Sequence, residues 1–324
     1  MKFSFKSIHE FNDYFQDEKT CLETYEKLRW NGDIVCPHCE SEKIYKVPTR
    51  SKKAALKGTH SYRCGNRKCD KHFSATTGTI FESSKITLRT WFTAIYYCTN
   101  TKKGISSVQL AEFLGVTQKT AWFIGHRVRA MLVENGPELL KSGMVEIDET
   151  YVGGKNKNRH KDKKVEFSQG RSAADKTPVV GILERGGKVK TFVVNDTEKN
   201  TLHKLANENI EKNSVVVTDS YTSYNGLSKN FTHVKVKHAE GIYTHKIGET
   251  VLHTQNIENF WSILKRGIIG IYHSVSPKHL YRYCDEFSYR YNYKESSHSD
   301  KFILSLSQAK GRRLSYKILI NKIN

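Results

Sequence analysis

Three carboxylates stand in sequence contexts that suggest a shared metal site. Asp148 lies in the strand-like run MVEIDETYVGG, Asp219 ends the run SVVVTDSY, and Glu258 lies in the helical stretch HTQNIENFWSILK. Lys265 follows Glu258 by seven residues, which is two helical turns along nearly the same face. Two acids on hydrophobic strands, with a third acid and a basic residue on a helix, suit divalent metal held against a phosphodiester. We therefore expect a DNA-processing enzyme.

Two neighbouring acids compete with Asp148 for the first position of this set. In an extended strand Glu146 points to the same face as Asp148, whereas Glu149 points to the opposite face. Strand periodicity therefore does not separate Asp148 from Glu146, and the residues alone leave this choice open.

The composition favours a polyanionic partner. The 324 residues are enough for two or three domains, and 53 Lys and Arg against 33 Asp and Glu give a net charge of +20 and a pI near 9.5. The sequence has no leading signal segment and no apolar run of about 18 residues, so we expect neither secretion nor membrane insertion. The expected location is the cytoplasm, in association with the nucleoid.

Four cysteines occur as two pairs, with two residues between the members of the first pair and four between those of the second. They are Cys36, Cys39, Cys64 and Cys69. Paired thiolates on two turns can complete a tetrahedral zinc site that has no open position for catalysis. His38 or His72 could replace one cysteine. We predict one structural Zn²⁺ bound by all four cysteines, and a small module folded around it.

A helical pattern then runs from Leu88 to about Val133, through LRTWFTAIYYCTN, SSVQLAEFLGV and TQKTAWFIGHRVRAML. Gly115 supplies a tight turn between the last two segments, and Thr117 can cap the helix that follows. This pattern predicts a helix-turn-helix that binds DNA. The residues expected to face outward toward DNA are Gln118, Lys119, Thr120, Arg127 and Arg129.

After residue 140 the sequence becomes rich in β-type runs: MVEIDETYV, TPVVGILERG, KVKTFVVN, SVVVTD and FTHVKVKH. A helical segment, DTEKNTLHKLANENIEKN, precedes the fourth run, and two more helices follow the last. This order predicts an α/β domain with a mixed sheet. Residues 155–172 are too polar to pack and are expected to form a basic surface loop.

Seven ordered segments carry a family resemblance over residues 30 to 294. They are CPHC, FSATTGTIFESSKITLRTW, GISSVQLAEFLGVTQKTAW, VEIDETYVGGK, TDSYTSY, HTQNIENFWSILKRG and SPKHLYRYCDEFSYRYN. With these segments in this order, the sequence resembles the Merlin-like (ISXO2-like) DDE transposases of bacterial insertion sequences.

The resemblance implies a ribonuclease-H-like catalytic domain whose first strand, fourth strand and late helix bring three carboxylates together. Asp148, Asp219 and Glu258 match those positions, so the resemblance favours Asp148 over Glu146. It implies two Mg²⁺ or Mn²⁺ ions held by these three acids. Lys265 matches the family's basic residue and is expected to contact a DNA phosphate.

Some further residues have a position that is typical of the family. Arg266 follows Lys265 and is expected to bind DNA with it. Asn256 is a candidate for lining the site, whereas Trp261 is expected mainly as a core residue and His238 as an exposed loop residue.

The resemblance also implies an activity: binding the terminal inverted repeats of an insertion sequence, cleaving the ends and joining the 3′-hydroxyls to target DNA. A homodimer or larger synaptic assembly on double-stranded DNA is expected. Two alternatives are a domesticated DNA-binding regulator and a structure-specific nuclease of the same fold.

The expected domains are a helical lead-in at 1–30, a zinc ribbon at 31–80, a helix-turn-helix region at 81–140, the catalytic domain at 141–300 and a basic tail at 301–324.

Overall fold

The computed structural model divides the chain into two compact units. The described residues are 3–47, 61–134, 138–141, 143–154, 160–166, 175–237, 240–241 and 244–320. The first unit contains residues 1–132 and 295–324, and the second contains residues 133–294. The C-terminal segment from residue 295 therefore folds with the N-terminal unit. Of the helices within the described residues, none is both long and apolar enough to cross a membrane.

The elements are numbered here in chain order. The helices are α1 (Ile8–Tyr14), α2 (Glu18–Trp30), α3 (Leu88–Asn100), α4 (Ser107–Leu114), α5 (Gln118–Met131), α6 (Lys199–Asn209), α7 (Gln255–Gly267), α8 (Pro277–Asn292), α9 (His298–Ser307) and α10 (Tyr316–Leu319). The strands are β1 (Ile44–Val47), β2 (Ser61–Cys64), β3 (His72–Phe73), β4 (Met144–Val152), β5 (Thr177–Glu184), β6 (Val189–Val193), β7 (Val215–Thr218), β8 (Thr232–Lys235), β9 (His245–Ile247) and β10 (Thr250–Leu252).

The core of the first unit forms where α3 packs against α9. Phe92 of α3 and Phe302 of α9 are both fully buried, and their ring centroids lie 5.3 Å apart in an edge-to-face arrangement. Aromatic pairs prefer this arrangement because the positive ring edge meets the negative ring face. Phe5, Phe11 and Phe15 from the N-terminal segment pack on Phe302 as well. The C-terminal segment thus completes an aromatic core begun by the first residues of the chain.

Helices α4 and α5 are joined by the tight turn predicted at Gly115. Gly115 has φ of 63°, in the left-handed region that residues with a Cβ avoid. The amide of Val116 donates to the carbonyl of Ala111 at 3.1 Å, which closes the end of α4. The side chain of Thr117 then accepts from the Thr120 amide at 3.3 Å and caps α5.

The second unit is built on the mixed five-stranded sheet that the sequence predicts, in the order β6-β5-β4-β7-β8. Strands β4, β5 and β6 are antiparallel neighbours, whereas β7 is parallel to β4 and β8 is parallel to β7. The first and fourth strands of the unit, β4 and β7, therefore lie side by side. Of the basic loop expected at 155–172, residues 155–159 and 167–172 lie outside the described part of the chain.

Helices cover both faces of this sheet, and the alternation along β4 decides which residues face which layer. Val145 and Ile147 face the layer that contains α6, together with Leu202 and Ala206. The intervening residues Glu146 and Asp148 of β4 point to the opposite face, where α7 packs. The acids of β4 that lie on that face are therefore presented to α7.

Gly181 of β5 permits the close approach of α7 to the sheet. It is paired with Asp148 of β4 across the ladder. A Cβ at position 181 would lie 2.6 Å from Cζ2 of Trp261 and 2.7 Å from Cδ1 of Ile257, both on α7. Contacts below 3.0 Å require the neighbours to move, so the helix is seated where only glycine fits.

We expect Gly181→Ala to reduce the free energy of unfolding by about 1–3 kcal/mol, because the added methyl group overpacks the helix against the sheet. Urea denaturation measures the change. Gly154→Ala is the matched control, since nothing lies within 4 Å of a Cβ there. The control should stay within about 0.5 kcal/mol of the wild type. Equal stability of the two variants would contradict the packing argument.

Candidate active site

An acidic cluster forms where β4 and β7 run side by side. Asp148 lies within β4, and Asp219 directly follows the last residue of β7. One carboxylate oxygen from each of Asp148, Glu149 and Asp219 lies within 4.8 Å of the other two. The two strand acids proposed from the sequence are thus neighbours in space, and Glu149 joins them.

Asp148 is held by a contact from α7 and carries an altered pKa. The indole Nε1 of Trp261 donates to Oδ2 of Asp148 at 3.1 Å. Burial, together with the smaller effect of the negative charges on Glu149, Asp219 and Glu258, raises the pKa of the Asp148 carboxyl to about 8. The raised pKa shows how strongly this position disfavours a negative charge in the absence of a cation.

The other two acids of the cluster are oriented by residues that follow β7. The backbone amide of Tyr221 donates to Oδ1 of Asp219 at 2.9 Å, which fixes that carboxylate in a tight turn. The hydroxyl of Tyr224 donates to Oε2 of Glu149 at 2.7 Å. Tyr224 is fully buried, and its pKa is raised well above the ordinary value by that burial and by Glu149. The hydroxyl therefore remains a donor, with its proton directed at Glu149.

Glu258 is placed on the first turn of α7 and is exposed. Its Oε1 accepts a hydrogen bond from the hydroxyl of Thr254 at 2.7 Å. Glu258 contributes to the raised pKa of Asp148, so the two carboxylates interact electrostatically. Glu258 is nevertheless not a member of the group whose carboxylate oxygens all lie within 4.8 Å of one another. The third member of that group is Glu149. The three-acid set expected from the sequence is therefore only partly assembled.

Glu146, the rival of Asp148, has a structural environment of its own. Its side chain is fully buried and is paired with Arg185, with 3.0 Å between Nη2 and Oε1. It also accepts from the backbone amides of Asn256 and Ile257 at 3.0 Å each, and from Nδ2 of Asn256 at 2.9 Å. These donors occupy both oxygens of Glu146, whereas Asp148 belongs to the acidic cluster. The geometry thus separates two acids that strand periodicity left equivalent.

Two basic residues lie near the C-terminal end of α7. Partial burial lowers the pKa of the Lys265 amine, while the charge of Asp148 opposes that change. The ammonium of Lys265 is therefore close enough to the acidic cluster to respond to it. Arg266 is exposed, and its guanidinium folds back onto Ser262, with Nη2 donating to Oγ at 2.6 Å.

The acidic cluster suits a hard divalent cation. Each of its donors is a carboxylate oxygen, the ligand type that Mg²⁺ and Mn²⁺ prefer and structural zinc does not. The raised pKa of Asp148 is a second indication, because a bound cation would offset the burial and the neighbouring negative charges that raise it. The residues present therefore fit a divalent metal.

The four predicted zinc ligands also come together, in the first unit. Their sulfur atoms all lie within 4.8 Å of one another, with 3.8 Å between Cys36 and Cys69 and 3.5 Å between Cys39 and Cys64. A tetrahedral site with Zn–S bonds of about 2.3 Å requires sulfurs about 3.8 Å apart. His38 and His72 are not members of this group. The cluster fits a structural zinc bound by cysteines alone.

The two cysteine pairs are followed by the same backbone conformation despite their unequal spacing. In each pair the residue directly after the second cysteine adopts a left-handed conformation, Glu40 with φ of 59° and Asp70 with φ of 45°. The Glu40 amide donates to the carbonyl of Cys36, and the Asp70 amide donates to that of Asn66. The two extra residues after Cys64 thus enlarge the second turn without changing how it ends.

The residues expected to face DNA on α5 fall into two groups. Gln118 and Lys119 are exposed on the first turn, with Thr120 half-buried beside them. Arg127 and Arg129 were expected outside, but they are only 4% and 6% exposed. The expectation for these two arginines was wrong, because most of α5 beyond its first turn is buried.

Arg127 has a specific structural role in this buried part of the helix. Its Nη2 donates to the backbone carbonyl of Glu82 at 2.7 Å. Its guanidinium also lies 5.3 Å from the ring centroid of Trp91 and 5.2 Å from that of Phe123. A guanidinium stacked on two aromatic rings and bonded to a carbonyl stabilises the fold of this unit.

Several site residues were missed or undervalued in the sequence. Glu149 was treated as pointing away, Tyr224 was not singled out, and Trp261 was expected mainly as a core residue. The adjacency of Glu149 to Asp148 was the available signal. Asn256 contacts Glu146, and His238 lies outside the described residues.

Two segments of the chain match known protein families. Residues 141–292 match the family described as ISXO2-like transposase domain, and residues 16–72 match the family described as transposase zinc-ribbon domain. The first match contains Asp148, Asp219 and Glu258.

Two curated relatives are similar in sequence. "Uncharacterized protein in transposable element ISH50" of Halobacterium salinarum is 28% identical over 285 residues, covering 85% of this chain and 91% of the relative. "Uncharacterized transposase-like protein" of Haemophilus influenzae is 30% identical over 109 residues, covering 33% of this chain and 84% of the relative. A solved structure, "Crystal structure of the Mos1 Strand Transfer Complex", is 11% identical with a TM-score of 0.27, covering 68% of this chain and 78% of that one. That last likeness is too distant to carry an argument.

The raised pKa of Asp148 predicts that stability falls as pH rises. Because the folded-state pKa of about 8 exceeds the ordinary 3.8, the folded chain retains a proton that the unfolded chain releases between these values. The stabilisation is complete below about pH 4 and is lost as pH rises through about 8. Urea denaturation without added divalent metal should show the wild type losing stability relative to Asp148→Asn as pH rises from about 4 to about 8. Parallel pH curves would argue against this reading.

The cysteine geometry predicts one zinc ion per chain, lost when a cysteine is removed. Cys39→Ser and Cys69→Ser should lose zinc, because three thiolates cannot close the tetrahedron. His38→Ala and His72→Ala are the matched controls and should retain it. Zinc content of the purified variants, measured by mass spectrometry, checks the outcome. Loss of zinc from a histidine variant would assign the ligands differently.

Proposed function

We propose that this chain, which belongs to the ISXO2-like transposases, binds the ends of its own insertion sequence, cleaves them and joins the 3′-hydroxyls to target DNA. The observation that carries the proposal is the meeting of Asp148 and Asp219 at the β4–β7 junction, with Glu258 and Lys265 on the helix that packs over it. The family matches and the net charge of +20 support it.

The second unit is best interpreted as a ribonuclease-H-like catalytic domain. Its sheet has three antiparallel strands followed by two strands parallel to the first. This order sets the first and fourth strands side by side, as that interpretation requires. The acids at their junction then meet a third acid from a late helix.

The acids would divide the work of holding two Mg²⁺ or Mn²⁺ ions. Asp148 and Asp219 supply oxygens from the two strands, Glu258 supplies one from α7, and Glu149 lies within reach of the first two. Such ions activate water or a 3′-hydroxyl and stabilise the leaving oxygen of an in-line displacement. Asp148 must release its proton as a cation binds, because only the ionised carboxylate is a ligand.

Lys265 would contact a DNA phosphate close to the scissile bond. Its amine responds to the charge of Asp148 and its side chain is exposed, so a phosphate can reach both. Arg266, one residue further along the exposed end of α7, would extend the contact along the DNA backbone. Such phosphate contacts orient DNA without reading its sequence.

Recognition of the element ends is assigned to the first unit. The α4–Gly115–α5 pair would act as a helix-turn-helix, because the early residues of a recognition helix reach base edges. Gln118, Lys119 and Thr120 are the candidates on this first turn. The zinc ribbon would add a second DNA contact.

A dimer or a larger synaptic assembly follows from the chemistry. Two element ends must be processed together for their 3′-hydroxyls to join one target. We therefore propose that at least two chains act on paired ends.

The test is Mg²⁺-dependent cleavage and strand transfer on DNA that carries the ends of the element, identified as inverted repeats in the DNA flanking the gene. The wild type should cut these ends and join them to a target plasmid. Asp148→Asn and Asp219→Asn should reduce both reactions below detection while still binding the ends. Asp13→Asn, at an exposed acid of the other unit, is the matched control and should remain active.

Two outcomes would replace the proposal. Specific binding by the wild type without metal-dependent cutting would indicate a DNA-binding regulator. Cutting without any strand-transfer product would indicate a structure-specific nuclease of the same fold.

A further inference from the structure

The start of α7 is capped by a distant strand residue. Of the first three helical amides, which have no partner within a helix, that of Gln255 donates to Nδ1 of His253 at 3.3 Å. The other two, from Asn256 and Ile257, both donate to Oε2 of Glu146 at 3.0 Å. Glu146 belongs to β4, about 110 residues earlier in the chain. A buried carboxylate therefore supplies the cap that a helix usually receives from its own N-terminal side chain.

The residue in the N-cap position of α7 makes a different bond. Thr254 is of the type that normally accepts from the second or third helical amide, yet its side chain makes no such bond. Its hydroxyl instead donates to Oε1 of Glu258 at 2.7 Å. Because Glu146 accepts from both amides that Thr254 would cap, the hydroxyl is directed to the carboxylate one turn later.

The position of Glu146 is itself fixed by charge. Its Oε1 accepts from Nη2 of Arg185 at 3.0 Å and from Nδ2 of Asn256 at 2.9 Å. The same guanidinium donates to the backbone carbonyls of Val251 and His253, at 2.6 Å and 3.1 Å. Arg185 thus ties Glu146 to the segment that leads into α7, so the buried carboxylate and the start of the helix form one unit.

We propose that Glu146 is a positioning residue for catalysis, which caps α7 so that Thr254 orients the carboxylate of Glu258 for metal. This inference rests on the proposed function, because it assigns Glu258 to a metal ion. Asp148 lies two residues after Glu146 on the same face of β4. One strand therefore sets both a carboxylate of the acidic cluster and the helix that carries the third acid.

Glu146→Gln is the first test, because an amide has one acceptor oxygen where four donors now converge. Thr254 is then expected to cap the helix itself and to release Glu258. We expect the Mn²⁺ concentration that gives half-maximal cleavage to rise about tenfold, as for other residues that orient metal ligands. Mn²⁺ affinity without DNA, measured by electron paramagnetic resonance, should fall by a similar factor. Affinity for the element ends should not change.

Two substitutions at Thr254 test the same contact without burying a new group beside Arg185. Thr254→Val removes the hydroxyl and should raise the Mn²⁺ requirement as Glu146→Gln does. Thr254→Ser retains the hydroxyl and should behave like the wild type. The double variant Glu146→Gln/Thr254→Val should be no worse than the more affected single variant, because both changes break one linkage.

Glu286→Gln is the matched control for loss of a buried acid. Glu286 of α8 is 2% exposed and is paired with Arg290 and Tyr272, away from the first turn of α7. This change should lower stability but leave the Mn²⁺ requirement unaltered. A shift in the control equal to that of Glu146→Gln would reduce the effect to general destabilisation and overturn the proposal.

The remaining outcomes separate this inference from the proposed function. An active wild type with an unchanged Mn²⁺ requirement in Thr254→Val would overturn the inference and leave the transposase assignment intact. A wild type that neither binds Mn²⁺ nor cleaves DNA would instead overturn the proposed function. If Glu146→Gln does not fold, the Thr254 pair decides the question alone.

Discussion

The close seating of α7 on β4 and β5 is the constraint on which the candidate active site depends. Gly181 leaves space for Trp261 and Ile257 at a distance that no Cβ would allow. At that distance the Trp261 indole reaches Asp148, and the first amides of the helix reach Glu146. The missing side chain on β5 thus lets α7 approach closely enough to contact the acids that the alternation of β4 places on that face.

The same seating concentrates negative charge around Asp148. Arg185 pairs with Glu146, but the raised pKa of Asp148 records that burial and nearby acids outweigh any attraction it receives. Residues that serve stability are expected to be paired, so an unbalanced carboxyl at a strand junction is typical of a functional site. The two acids on this face of β4 therefore differ in role. Glu146 accepts hydrogen bonds from donors of the protein, whereas Asp148 is placed to bind a cation.

Much of this arrangement is readable from the sequence because it depends on local periodicity. The alternation in MVEIDETYV gives the strand and its two faces, and Gly115 with Thr117 gives the turn and cap of α5. The choice between Glu146 and Asp148 is not local, since it depends on an arginine that directly follows β5 and on amides more than 100 residues away. The burial of Arg127 is likewise decided by Trp91 and by the carbonyl of Glu82, which belong to other segments. Residue type and spacing do not predict which distant residues a side chain will contact.

The buried arginines also change what the net charge of +20 means. Arg127 is stacked between aromatic rings, and Arg290 is paired with a buried acid, so neither can meet a phosphate at the surface. A positive charge supports DNA binding only where it is exposed, and on α5 that condition is met at the first turn by Lys119. On α7 it is met by Lys265 and Arg266, beyond the turn that carries Glu258. Along α5 the exposed polar and cationic side chains stand on the first turn and most of the remaining side chains are buried, so the position of a basic residue along this helix predicts its role better than its charge does.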